Sequence, residues 1–227
     1  MDSFETIERA GYTASIVHDV DPQSPDEWDT FAKLAYNASR VAWNPDDLPR
    51  DPYGTGRFVV DCDQCEGTGE RDAPEGIQQF GKPSPCAFCE GTGYRVDGLQ
   101  ACQNMHGNVV ACLPVSVNDG PYTMLHVADD WEDAQGWIYA TKETADMTGV
   151  APADYEKALR QDLATWNTYL EGDVYGIIVT DADGREVDSC FGFYGLEYAR
   201  EEAKGMLDTE PVRLLEKYPA LRDLRVT

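Results

Sequence analysis

Residues Val174–Phe191 read VYGIIVTDADGREVDSCF. Two strand-like runs, Val174–Thr180 and Arg185–Phe191, flank Asp181-Ala182-Asp183-Gly184, a cluster of the kind that closes a β-hairpin. The same Asp-x-Asp-Gly also begins like a calcium loop. The last ligand position of such a loop falls on Gly192, however, which has no carboxylate to offer, so the hairpin reading prevails. Upstream, Pro152–Leu170 places Tyr155, Leu159, Leu163, Trp166 and Leu170 on one helical face, with Pro152 to open the helix and Gly172 to close it. Downstream, Gly192 and Gly195 bracket a turn into a helix over Leu196–Met206, and a further short helix is expected over Pro211–Lys217.

Further out, Val109–Val117, Tyr122–Ala128 and Gly136–Thr141 read as an antiparallel meander, joined by Asn118–Pro121 and by the acidic turn Asp129–Ala134. Tyr12–Val20 is a candidate strand. Ser24 and Pro25 make an N-cap and first helical position for a helix over Asp26–Ser39, with Trp28, Phe31, Leu34 and Ala35 at helical spacing, and Asn44–Gly56 reads as loop. The expected class is α+β: an antiparallel sheet with helices on one face, plus a small zinc-binding insertion. The expected boundaries are 1–57 and 101–227 for the core domain and 58–100 for the insertion.

The insertion carries the one internal duplication, CDQCEGTG at Cys62–Gly69 and CAFCEGTG at Cys86–Gly93. Two Cys-x-x-Cys pairs separated by Glu66–Pro85 have the spacing of a closed tetrahedral site, so Cys62, Cys65, Cys86 and Cys89 are expected to hold one structural Zn²⁺. With every position taken by sulfur, such a site is structural and not catalytic. The glycines after each pair allow a turn whose backbone N–H groups point at the sulfurs. A pair of disulfides or idle thiols are the rival readings, disulfides being disfavoured because MDSFETIERAG at the N-terminus has no apolar core of an export signal. The repeated Cys-x-x-Cys-x-Gly-x-Gly resembles the zinc-binding region of DnaJ-type co-chaperones over residues 62–93. That family carries four such repeats and a J-domain with an HPD motif. This chain has two repeats, enough for one site, and no HPD. The resemblance implies binding of polypeptide.

Three cysteines remain. Cys102 and Cys112 with His106 could form a second metal site or serve as small buried hydrophobes, and Cys102 or Cys190 as a nucleophile would need a histidine base. His18 and His126 lie in strand-like apolar runs and read as packing residues. No G-x-S-x-G, H-E-x-x-H, Walker or dinucleotide glycine motif occurs.

Composition bounds the function. The chain has 227 residues, 42% hydrophobic and 11% aromatic, enough apolar material for a core. Its 42 acidic against 18 basic residues give a formal charge of −24. That excludes ordinary phosphate-gripping nucleic-acid binding and adhesion to anionic membranes. No apolar run is long enough for a membrane-spanning helix, so a soluble cytoplasmic protein is expected. The acids, 25 Asp and 17 Glu, are dispersed along the chain. They fit either a protein from a salty or GC-rich source or a folded surface that imitates the charge ladder of DNA. The candidate partner-binding acids are Asp129, Asp130, Glu132, Asp133, Asp181 and Asp183.

Three patches, SPDEWDTF at Ser24–Phe31, QGWIYATKE at Gln135–Glu143 and YLEGDVYGIIVTDADGREVDSCFGFYG at Tyr169–Gly195, are similar to a widespread group of uncharacterised phage and prophage proteins. The chain departs from that group in its cysteine insertion and in having Asn118-Asp119-Gly120 where a His-containing turn is usual. The resemblance implies a mobile-element origin and life in the cytoplasm of an infected or lysogenic host cell. The resulting expectation is a non-enzymatic, acidic interaction protein that inhibits a host nucleic-acid-binding defence factor: a nuclease, a restriction complex or a CRISPR-type complex. Two alternatives stand beside it. A zinc-dependent adaptor or chaperone-like module would show an exposed apolar groove beside the zinc. An enzyme of unrecognised type would show a deep pocket lined by acids with His106 or His126.

Overall fold

The structure, a computed structural model, describes residues 3–38, 42–49, 58–71, 83–120 and 122–217. In chain order its strands are β1 (Glu5–Arg9), β2 (Tyr12–His18), β3 (Lys33–Asn37), β4 (Ala42–Trp43), β5 (Val59–Asp61), β6 (Glu70–Arg71), β7 (Ser84–Pro85), β8 (Tyr94–Val96), β9 (Val109–Asp119), β10 (Thr123–Val127), β11 (Gly136–Thr141), β12 (Val174–Thr180) and β13 (Glu186–Tyr194). The helices are α1 (Gly98–His106), α2 (Lys142–Thr148), α3 (Tyr155–Leu170) and α4 (Leu196–Lys217). The fold is α+β, and the strands form four antiparallel sheets. The chain divides into two compact units, Met1–Glu27 with Thr165–Thr227, and Trp28–Ala164.

In the first unit the strand order is β1-β2-β12-β13, so the N-terminal hairpin joins the Val174–Phe191 hairpin edge to edge, with Ile16 opposite Ile177. Alternate residues Ala14, Ile16, Tyr175, Ile177, Val179 and Phe193 form one apolar face. Helix α4 covers it with Ala199, Ala203 and Leu207, which lie four residues apart and so share one stripe. The turn between β12 and β13 is held by Asp181, whose Oδ1 accepts from the amides of Asp183 and Arg185, each at 2.9 Å. The two helices expected after Gly195 are one. Strong helix formers such as Glu201, Glu202, Ala203 and Lys204 carry the helix onward, and the amide missing at Pro211 does not end it.

The second unit has the order β10-β9-β11-β3-β4. Strand β11 lies at the centre with Gly136–Ala140 all buried, as expected of a strand covered on both faces. Trp137 and Tyr139 turn to one side and pack with Ala35, Phe58, Ala101 and Cys102, which seats α1 there. Pro114 interrupts β9 harmlessly. Its missing N–H faces the end of β10, and its carbonyl still accepts from Ala128 N–H at 3.0 Å.

The helix expected over Asp26–Ser39 does not form. Ser24 and Pro25 do start a turn, with Glu27 N–H donating to the Ser24 carbonyl at 3.0 Å, but it is a single 3-10 turn, Pro25–Glu27. Ala32 N–H then donates to the Asp162 carboxylate on α3 at 2.8 Å, and Lys33–Asn37 pairs with β11. Leu34, Ala35 and Tyr36 are all buried. A short apolar run of this kind is ambiguous between helix and strand, and here a pairing distant in sequence decides it. Strands β1 and β4 and helices α1 and α2 were not anticipated, although α1 and α2 carry caps. Asp97 accepts from Gln100 N–H at 3.0 Å, and Thr141 and Thr144 cap one another reciprocally.

Candidate metal centre

The two cysteine repeats fold into matching turns between β5–β8 and β6–β7, with Glu66 and Glu90 both at φ 53°. In the first, Thr68 N–H and Oγ1–H donate to the Cys65 carbonyl at 3.0 and 2.7 Å. In the second, Thr92 does the same to Cys89 at 3.0 and 2.6 Å. Each turn is completed by the other: Cys62 N–H donates to the Gly93 carbonyl and Cys86 N–H to the Gly69 carbonyl, both at 2.8 Å. The repeats therefore relate by a local pseudo-two-fold. They approach so closely that a Cβ on Gly69 would sit 2.4 Å from the Gly91 carbonyl oxygen, and one on Gly93 2.4 Å from that of Gly67.

This arrangement brings together Cys62, Cys65, Cys86 and Cys89, all buried, with their sulfurs within 4.8 Å of one another. Such a set can hold a metal ion. Gly69 N–H donates to Cys65 Sγ and Gly93 N–H to Cys89 Sγ, each at 3.3 Å, as the glycine spacing predicts. Burial pushes the Cys62 thiol up to about 11. Burial acts in the same sense on Cys89, but the Gly93 N–H and the neighbouring Cys65 and Cys86 sulfurs outweigh it and draw that thiol down to about 6. Residues 72–82, between the pairs, lie outside the described residues, including Lys82.

Among the described residues, no second metal-ligating group of three or more His, Cys, Asp or Glu side chains is present. Cys102 and Cys112 do meet between α1 and β9, where burial, and then Cys102, push the Cys112 thiol up. His106 turns elsewhere. It stacks on Tyr139 at 4.0 Å and bonds through Nε2 to the Asp47 carbonyl at 3.0 Å. A carbonyl only accepts, so Nε2 carries the hydrogen. Burial holds the His106 pKa below its ordinary value, against the opposing pull of Asp47. His18 and His126 are exposed rather than packed inside, although His18 stacks on Tyr175 at 4.9 Å.

The acids proposed as a partner surface fall in both units. Asp129, Asp130, Glu132 and Asp133 share one turn, in which Asp130 Oδ1 accepts from the amides of Glu132 and Asp133 at 2.8 and 3.1 Å. Asp181 and Asp183 lie in the β12–β13 turn.

Beside the cysteine turns lies a cleft of about 540 Å³, lined by Val59, Val60, Arg95, Gln100, Asn104 and Met105 among others. Arg95 stands over the exposed Phe88 ring of the second turn at 5.3 Å, with Asp63 and Asp97 at 3.9 and 3.8 Å. His106 and His126 do not line this cleft. The cleft is not legible in the sequence, because one wall of it is α1. The usable signal was Asp97 as an N-cap. Among the described residues, no helix is long and apolar enough to cross a membrane. No family model, curated protein or solved structure matches this chain.

Proposed function

We propose that this chain is a non-enzymatic interaction protein in which a structural zinc supports a polypeptide-binding surface. Zinc–thiolate bonds of about 2.3 Å define a tetrahedron with edges of about 3.8 Å. The Cys62–Cys86 and Cys65–Cys89 sulfur separations of 3.9 and 3.7 Å suit that figure. Four sulfurs fill the coordination sphere and leave no position for substrate, which assigns the ion to holding the two turns together. The observation that carries the reading is the cleft beside the turns, whose Val59, Val60 and Met105 provide the apolar groove such a module needs. Zinc titration tests the centre: Cys86→Ser should lose stoichiometric binding, and normal binding would refute it. Capture of proteins from lysate, with and without prior chelation, tests the surface. Capture abolished by chelation supports the reading, and capture indifferent to chelation counts against it.

A second reading keeps the anti-defence function. The charge of −24 and the grouping of Asp129, Asp130, Glu132 and Asp133 in one turn suit a DNA-like surface against a host nuclease, restriction or CRISPR-type complex. A mobile-element origin in an infected or lysogenic cell accords with it. Captured nuclease released by raised salt would support mimicry, because exposed charge contacts are screened, and salt-indifferent capture would count against it.

A further inference from the structure

We propose that the open edge of β1 is a self-association surface, on which β1 of a second copy of this chain pairs antiparallel about a two-fold axis through Ile7. The surface lies within the unit of Met1–Glu27 with Thr165–Thr227 and does not depend on the zinc reading. The hairpin register decides which backbone groups it offers. Ala10 and Gly11, at φ 52° and 83°, make a two-residue turn, so the closing pair Arg9 and Tyr12 exchange both ladder bonds. Bonded positions then alternate, so Arg9, Ile7 and Glu5 bond to β2, and Thr6 and Glu8 turn their N–H and C=O outward. Both residues are exposed, and among the described residues neither has a hydrogen-bond partner on that side. Phe4 N–H turns back to the Ile16 carbonyl at 2.7 Å, which confines the open edge to Thr6–Glu8. The opposite edge of the same sheet is protected. There β13 carries two bulges, Ser189 N–H is taken by Asp188 Oδ1 at 2.9 Å, and Gly192 N–H by Asp19 Oδ2 at 3.2 Å. Bulges and charged side chains are the usual means of blunting an edge. Strand β1 has no bulge and no proline, and its charges suit a copy of itself.

The sequence of β1, Glu-Thr-Ile-Glu-Arg, is self-complementary. With the axis on Ile7, Thr6 lies opposite the partner's Glu8 and exchanges both ladder bonds with it, and Glu8 does the same with the partner's Thr6. Glu5 lies opposite the partner's Arg9 at a non-bonded position, where side chains approach most closely. On the α4 face, Arg200 Nη2 donates to Glu5 Oε2 at 2.8 Å, and Arg9 Nη1 lies 2.7 Å from Asp208 Oδ1. Pairing joins these into an alternating row: Arg200, Glu5, the partner's Arg9 and the partner's Asp208. An axis on Glu8 would instead set Glu8 against the partner's Glu8, so charge selects the register. Ile7, partly buried against the α4 core, meets the partner's Ile7 on the axis. Such a contact is isologous and closes at two copies, and the blunted β13 edge keeps the sheet from growing further.

The test is sedimentation of the zinc-loaded full chain from about 10 μM to about 1 mM, at moderate salt to screen repulsion between two chains of −24. A monomer–dimer equilibrium is expected. Thr6→Pro removes an outward amide and leaves the β1–β2 ladder bonds in place, so it should weaken the dimer at least about tenfold with circular dichroism unchanged. Ser189→Lys, on the opposite edge, should dimerise as the wild type does. Amide exchange of the wild-type chain needs no variant. The amides of Thr6 and Glu8 should gain at least about tenfold protection between the lowest and the highest concentration, while that of Ser189 gains none. A chain that stays monomeric throughout overturns the β1 surface, and so does a dimer in which Thr6 and Glu8 gain no protection. A dimer weakened by Ser189→Lys but not by Thr6→Pro assigns the contact to β13 and overturns it equally. Zinc-dependent capture of polypeptide is untouched by any of these results.

Discussion

Gly69 and Gly93 explain why the repeat continues past its cysteines. With φ of 73° and 86° and the opposite repeat's carbonyl oxygen 2.4 Å from a would-be Cβ, neither position has room for a side chain. Gly69→Ala should therefore weaken metal binding by at least about tenfold in competition with a chromophoric chelator, through backbone strain and a displaced sulfur. The ligand set was legible because thiolate spacing is a local property of sequence. The embrace of the two repeats was not, since it depends on where one backbone lies against the other. His106 makes a second prediction. Its folded pKa lies below 6.5, so the unfolded chain binds the proton more readily. The stability it contributes is complete above about pH 6.5 and is lost as pH falls through the depressed folded value. His106→Gln should flatten that part of the melting-temperature profile, and an unchanged slope would assign it to other groups.

Elements were legible where one pattern dominated. Gly136–Thr141 and Val174–Thr180 match their expected bounds because continuous apolar runs flanked by turn residues have few alternatives. Residues 26–39 misled because Trp28, Phe31, Leu34 and Ala35 meet a helical template by spacing alone. The Asp162 carboxylate and the β11 edge that claim this segment lie more than a hundred residues away. Helix α4 offers an energetic check at this scale. Leu207 is 1% exposed against the β2–β12 face, so Leu207→Ala should cost about 3 kcal/mol in chemical denaturation. A cost under about 1 kcal/mol would mean that α4 contributes little to the unit's stability.

At the scale of the molecule, sequence identified strands but not their sheets. An alternating pattern says that a face is buried, not which partner buries it, and Tyr12–His18 finds Val174–Thr180 across the length of the chain. Chelation should consequently act locally. Hydrogen exchange should rise in 58–71 and 83–97, while β2 and β12 stay protected, because the core of their unit contains no cysteine turn. Uniform deprotection would show that the ion holds the whole fold. The charge of −24 adds a global term: self-repulsion is relieved by salt, so the melting temperature should climb as sodium chloride is raised from low to moderate concentration.

The reciprocal bonds between the repeats, Cys62 to Gly93 and Cys86 to Gly69, carry a further meaning. Each half holds two sulfurs and a strand end that only its counterpart can finish, so a fragment bearing one half would be a self-complementary monomer. Two such fragments would close the same centre around one ion as a homodimer, at a cost set by their concentration. Placing both copies on one chain replaces that dilution-sensitive encounter with a tethered one, so assembly no longer depends on how much protein is present.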